Sequence, residues 1–281
     1  MDKRLITGLV TGFTAFFALI AAGPWLAVLL VVLIILLAKE YTKILRNKGF
    51  LPSHKIIIVS GILFGCAAYF NKVELIPIVV TLSVFASFLC VLFKGKQPYI
   101  ANVATTLLGC AYCGWFPLHL FFLRSVGTES YASCGFCYGL LYTIMAFICV
   151  LVTDTFCYFT GSKFGKHKLS PVISPNKTIE GAAGGAVMCM IFSMAIGFAV
   201  GLEWYHSVIL GLLIAVFSQL GDLCESMIKR DAGVKDSGNV LPGHGGFLDR
   251  TDSYILAIPV VYYYTEFFIQ NNIFDIIRGL F

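Results

Sequence analysis

Apolar runs of about twenty residues, repeated along nearly the whole chain, limit what this sequence can fold into more than any other feature. Coiled as a helix at 1.5 Å per residue, such a run spans the roughly 30 Å hydrocarbon layer of a bilayer. Inside that layer every backbone N–H and C=O needs a partner within the protein, which leaves helices and closed barrels. Barrel strands alternate polar and apolar residues, whereas these runs are continuous, so helices are expected. Of the 281 residues, 58% are hydrophobic and only 12% charged. A globular domain carries about 25% charged residues, and a soluble core could not absorb this excess of apolar side chains.

Nine runs are read, near residues 5–22, 25–39, 55–71, 76–93, 100–123, 136–160, 181–201, 205–223 and 253–271. The first two are separated by a tight Gly23-Pro24 turn. Ala21-Ala22-Gly23 after Lys3-Arg4 resembles a signal-peptide junction, but the run is long and the topology needs it, so cleavage is not expected. Cytoplasmic loops hold an excess of Lys and Arg. With the N-terminus inside and nine crossings, one side collects all of the 20 basic residues except Lys72, Arg124 and Arg278. The expected fold class is therefore all-α, a polytopic membrane protein of about nine transmembrane helices with a cytoplasmic N-terminus and the C-terminus outside. Residues 1–130 would form about five N-terminal spans and residues 131–281 a C-terminal catalytic domain with two polar cytoplasmic loops. The net charge of +5 does not argue for nucleic acid, because in a membrane protein the placement of basic residues matters more than their sum.

Ten cysteines include Cys110-x2-Cys113 and Cys134-x2-Cys137, nominally a zinc template. The first pair lies inside an apolar run and the second at the entry of the next, with no polar knuckle between them. Zinc and disulfide readings therefore yield to small buried thiols.

The charges gather at one end of the spans. Asp154 and Asp222 each end a long apolar run at the cytoplasmic side, where a carboxylate is either a snorkelling helix end or a functional group. If the eighth helix continues past the membrane, Asp222, Glu225, Ser226 and Lys229 form one polar stripe at helical spacing. Pro242-Gly243-His244-Gly245-Gly246 cannot be helical and lets the backbone approach a ligand closely. Asp249 and Asp252 then open the ninth helix on one face, where either alone could be a cap. Hard carboxylate oxygens (Asp222, Asp249, Asp252) beside fixed cations (Lys229, Arg230, Lys235, Arg250) suit a phosphate substrate bound through Mg²⁺. The alternative is a salt-bridged solvated loop. The earlier loop repeats the theme in Gly161-Ser162-Lys163-Phe164-Gly165-Lys166 and Ser174-Pro175-Asn176-Lys177-Thr178-Ile179-Glu180-Gly181, without P-loop spacing. There Lys177 is the better phosphate contact, Lys163, Lys166 and Lys168 suit lipid head groups, and Gly181 and Gly185 suit helix packing.

From Ser226 through Lys229-Arg230, Lys235-Asp236-Ser237-Gly238 and Leu241-Pro242-Gly243-His244-Gly245-Gly246-Phe247-Leu248-Asp249-Arg250-Thr251-Asp252, the sequence resembles, without a gap, the signature of phosphatidate cytidylyltransferases, or CDP-diacylglycerol synthases. Ser174-Pro175-x-Lys177-Thr178-x-Glu180-Gly181 resembles that family's other polar block, and Tyr158-x2-Gly161-x3-Gly165-Lys166 extends it backward, with Cys157 where Ala is expected. The resemblance implies an enzyme that joins CTP and phosphatidate into CDP-diacylglycerol and pyrophosphate, a step of phospholipid biosynthesis. Together with the partition of basic residues, the expectation is a multi-pass protein of the cell's inner membrane with its active site facing the cytoplasm. The lipid phosphate would attack the α-phosphorus of CTP in line, so no protein nucleophile is required. Asp222, Asp249 and Asp252 would serve as metal ligands for Mg²⁺, with a second cation left open. Lys229, Arg230, Asp249, Arg250 and His244 would be catalytic. Ser174, Lys177, Thr178, Glu180, Ser226, Lys235 and Asp236 would bind substrate. The apolar helix faces suit lipid or a homodimer equally well. Rival readings are another CTP-using lipid transferase or kinase and, from a different class, a transporter, which would show internal repeats and charges near the bilayer midplane.

Overall fold

The computed structural model describes residues 3–128, 132, 135–238 and 245–271. Helices dominate: α1 (Lys3–Ala21), α2 (Gly23–Asn47), α3 (His54–Tyr69), α4 (Ile76–Lys94), α5 (Tyr99–Gly109), α6 (Phe116–Ser125), α7 (Tyr138–Phe164), α8 (Ile179–Val200), α9 (Trp204–Asp231) and α10 (Leu248–Tyr264). A π-helical turn, Cys110–Trp115, joins α5 to α6 into one rod, and a second, Thr265–Gln270, extends α10. Every expected apolar run thus falls on a helical segment. Among the described residues, six segments are long and apolar enough to cross a bilayer: Gly23–Asn47, Val73–Lys94, Tyr99–Ser125, Tyr138–Phe164, Ile179–Val200 and Trp204–Asp231. One departure from a purely helical chain is a small antiparallel hairpin, β1 (Lys168–Ser170) and β2 (Ser174–Thr178), pairing Lys168 with Thr178 and Ser170 with Ser174.

Outward faces of several helices are apolar in the way lipid contact requires. On α4, Ile78, Leu82, Phe85, Leu89, Leu92 and Phe93 are exposed, and on α8 Val187, Ile191, Met194 and Phe198. The chain is a multi-pass membrane protein of the all-α class, with a small hairpin among the described residues.

Two compact units form, Met1–Phe121 with Met227–Thr251, and Phe122–Ser226 with Asp252–Phe281. In the first unit α2 buries Leu26, Leu30, Ile34, Leu37, Tyr41 and Ile44, a stripe at steps of three and four. Lipid tails are as apolar as leucine, so close packing rather than escape from water must hold such helices together. Small residues make that approach possible. A Cβ on Gly114 would stand 3.1 Å from the Cα of Gly61, and one on Gly109 would stand 2.8 Å from the Tyr41 ring. Polar contacts tie the same helices together: Tyr41 Oη donates to the Thr105 carbonyl at 2.8 Å, and the Ser60 and Ser83 hydroxyls meet at 2.7 Å. Cys110 and Cys113 lie in this packing as buried free thiols, while Cys134 falls outside the described residues.

The second unit rests on α7 against α8. A Cβ on Gly181 would stand 2.8 Å from the Cys157 carbonyl, and one on Gly185 would run into Cys157 Sγ and stand 2.9 Å from the Thr153 carbonyl. The small-residue spacing of Gly181 and Gly185 is therefore a packing device, as expected. Ser193 Oγ donates to the Ser207 carbonyl at 2.6 Å, tying α8 to α9.

Candidate active site

In the second unit, the close approach of α7 and α8 leaves an open cavity of about 540 Å³ at their polar ends. Its walls include Asp154 and Tyr158 from α7, Lys177 from β2, and Gln219 and Asp222 from α9. The hairpin is what carries Lys177 there. Glu180 fastens its base, accepting from the backbone N–H of Lys166 at 3.0 Å and of His167 at 3.2 Å and sitting 2.6 Å from His167 Nδ1. Thr178 caps α8 by accepting from Gly181 N at 3.2 Å, satisfying one of the donors a helix start leaves open.

Lys177 Nζ reaches Asp222 Oδ2 at 2.7 Å, and Ser226 Oγ donates to Asp222 Oδ1 at 3.3 Å. Asp154 is exposed to the same cavity and lies within electrostatic range of both Asp222 and Lys177. Two carboxylates and one ammonium thus line a space in the size range of small-molecule sites. Asp252 begins this unit's part of α10, where its Oδ1 accepts from Ser253 N at 2.8 Å. Ser174, half-buried, pairs with Ser170 in the hairpin.

The first unit holds a second polar cluster, built on the segment after α9 and the first turn of α10. Asp249 is its hub. Its Oδ1 accepts from Lys229 Nζ at 2.7 Å, and its Oδ2 accepts from Ser237 N at 3.0 Å, Ser237 Oγ at 2.8 Å and Gly246 N at 2.9 Å. The Lys229 and Asp249 side chains are only 12% and 15% exposed. In that setting an ion pair matters, whereas a solvated one contributes little. Behind the hub stands Glu40 of α2, 3% exposed, whose oxygens accept from Phe247 N at 2.9 Å and Leu248 N at 2.8 Å. A Cβ on Gly246 would run into Ser237 Oγ and stand 2.7 Å from Glu40 Oε2, so only glycine fits there.

Lys235 and Asp236 border a separate groove of about 260 Å³ with Lys43 and Asn47 of α2. Arg230 and Arg250 are exposed in this unit; Arg230 Nη1 donates to the Val234 carbonyl at 3.3 Å. His244 lies outside the described residues.

The expected site residues are therefore gathered as two clusters. Lys177, Thr178, Ser226 and Asp222 belong to the second unit, and Lys229, Lys235, Asp236 and Asp249 to the first. Of the three expected metal ligands, Asp222 lines the cavity, with Oδ2 paired to Lys177 and Oδ1 accepting from Ser226, and both oxygens of Asp249 likewise accept from protein donors. Among the described residues no group of three or more His, Cys, Asp or Glu has metal-binding geometry. Mg²⁺ does not need one, since it keeps several waters and is held by one or two carboxylates together with substrate phosphates. Asp154 and Asp222, two hard oxygen donors open to one cavity, fit that requirement. Glu40 is the residue that sequence reasoning missed. An acidic side chain at the end of an apolar run, between Lys39 and Lys43, was the available signal.

Comparison with known proteins gives a consistent result. The family model described as "Cytidylyltransferase family" matches residues 2–268. A phosphatidate cytidylyltransferase of Synechocystis sp. is 37% identical, over 94% of this chain and 96% of its own length. One of Staphylococcus saprophyticus is 36% identical, over 93% and 97%. A chloroplastic phosphatidate cytidylyltransferase of Arabidopsis thaliana, number 5, is 33% identical, over 92% and 70%. On residues 2–268, nearly its whole length, the chain belongs to the cytidylyltransferase family.

Proposed function

We propose that the chain is a membrane nucleotidyltransferase that transfers the cytidylyl group of CTP to phosphatidate, giving CDP-diacylglycerol and pyrophosphate. The observation that carries this reading is the similarity, over 94% of the chain and 96% of the relative, to a protein named for that reaction. An oxygen of the phosphatidate phosphate forms a bond to the α-phosphorus of CTP, and the α–β phosphoanhydride bond breaks, with pyrophosphate leaving as the anion. The acceptor is already anionic near neutral pH, so positioning and charge neutralisation suffice.

The chain's own residues fit those two tasks. Lys177 offers an ammonium to phosphate oxygens while Asp222 holds its position from 2.7 Å. Asp154 and Asp222 would hold Mg²⁺. When bound, the ion neutralises crowded phosphate charge and polarises the reacting phosphorus. Asp249 fixes Lys229 with a charge-assisted hydrogen bond and also accepts from Ser237 N and Gly246 N. Arg230, Lys235 and Arg250, exposed in the first unit, offer further cations of the kind that a phosphate substrate requires.

The orientation follows from charge. Nine crossings with a cytoplasmic N-terminus put the acidic and basic clusters on the cytoplasmic side of the inner membrane, where CTP is found, and that reading is supported by the placement of all but three basic residues on one side. Turnover measured on purified protein in detergent, with Asp222→Asn and Lys177→Met beside the exposed control Lys72→Ala, tests the assignment. Loss in the first two with retention in the control is expected; undiminished turnover in Asp222→Asn would remove that residue from the mechanism.

A further inference from the structure

Glu40 is a buried carboxylate about 200 residues away in sequence from the segment it binds, and the mechanism above does not use it. It lies in α2 (Gly23–Asn47), near the end marked by Lys39, Lys43 and Arg46. Its two oxygens divide the work: Oε1 accepts from Phe247 N at 2.9 Å, Oε2 from Leu248 N at 2.8 Å. These are donors that the start of α10 would otherwise leave open, and the positive end of the helix dipole favours a negative partner. Ser237 Oγ stands 2.8 Å from Asp249 Oδ2 and 3.3 Å from Glu40 Oε2. A hydroxyl has one proton to donate, so it serves the nearer carboxylate and packs against the other. Gly238 and Gly246 are pressed against the same carboxylate, with Cβ positions 3.0 Å and 2.7 Å from its oxygens.

We infer that Glu40 is a positioning residue for the transfer reaction, holding the start of α10 so that Asp249, in its first turn, keeps Lys229 in place. The inference rests on the proposed function but is not a restatement of it, because Glu40 touches no expected substrate group. Its chemistry requires two acceptors at fixed separation. Gln keeps the length but offers one carbonyl and one NH₂, so one backbone N–H would face another donor. Asp keeps two acceptor oxygens one methylene further back.

Two measurements on Glu40→Gln and Glu40→Asp, with the exposed Glu74→Gln as control, decide the matter. First, CTP-dependent CDP-diacylglycerol formation should rank Glu above Asp above Gln, with Gln lowered about tenfold or more, since misplacement of a catalytic group by an ångström can cost a hundredfold. A residue that merely fills space would give Glu equal to Gln and above Asp. Second, amide hydrogen exchange at Phe247 and Leu248 should quicken by about tenfold in Gln, reporting local opening independently of turnover. The order Glu equal to Gln, or exchange unchanged in Gln, overturns the inference. If the wild-type chain makes no CDP-diacylglycerol, the functional reading fails, and the exchange rates still decide whether Glu40 holds this segment.

Discussion

Neutralising Asp249 tests the cluster in the first unit most sharply. In Asp249→Asn the side chain keeps its size, but the Lys229 ammonium, 12% exposed, is left beside a neutral amide, and the four donors now aimed at two anionic oxygens meet one carbonyl. Removing one partner of a buried ion pair costs about 3–5 kcal/mol, and the residual exposure of both groups places this pair near the lower end, about 3 kcal/mol. For a chain of this size that corresponds to a fall in Tm of roughly 6–12 °C. Lys229→Met should behave similarly. The double variant, which carries neither charge, should regain part of the loss, with a coupling of about 1–3 kcal/mol, because neighbouring groups in one network are not additive. Turnover should fall in all three and should not return in the double variant. The assay is incorporation of label from CTP into lipid, read beside thermal unfolding of the same preparations in detergent. Wild-type Tm in Asp249→Asn, or strictly additive losses in the double variant, would refute the buried-pair reasoning. Restored turnover in the double variant would refute a catalytic use of the pair.

Other expectations are simpler to check. Chelation by EDTA should abolish turnover and added Mg²⁺ should restore it, and Asp222→Asn should raise the Mg²⁺ concentration needed by at least about tenfold, measured as a metal titration of initial rate. Gly185→Val should cost about 1–3 kcal/mol or more through overpacking against Cys157 and Thr153, seen as lost monodisperse protein on size exclusion, while Gly12→Ala, with open space around it, should not. A Val172→Cys variant in the exposed hairpin turn should react with a membrane-impermeant maleimide in inverted vesicles and not in intact cells; labelling in intact cells would contradict the proposed orientation.

What the sequence revealed and what it hid have physical causes. The helices were legible because lipid imposes one composition over one length, and the apolar runs of residues 76–93 and 181–201 match α4 and α8 closely. Lys229 and Asp249 were legible as members of one charged group because they lie close together in sequence, on one helix end and the next helix start, whereas the part of Ser237 in it was not. The hairpin of Lys168–Ser170 and Ser174–Thr178 was read only as a polar loop, since strands this short carry no alternating pattern, and Pro175 argues against one. Glu40 was hidden because its partners are Phe247 N, Leu248 N and Ser237 Oγ, mostly backbone groups that leave no trace in side-chain identity. The cavity role of Asp154 needed α7, α9 and β2 together before it could be separated from a snorkelling helix end.

The central claim is that the α-phosphate of CTP, with its cytidine, is joined to phosphatidate. Purified chain incubated with phosphatidate, Mg²⁺ and CTP labelled at either the α- or the γ-phosphate tests it directly. The account predicts that α-label enters lipid as CDP-diacylglycerol in step with pyrophosphate release, and that γ-label leaves in pyrophosphate. Lipid labelled from the γ-position would mean a kinase, and no labelled lipid from either would contradict the account.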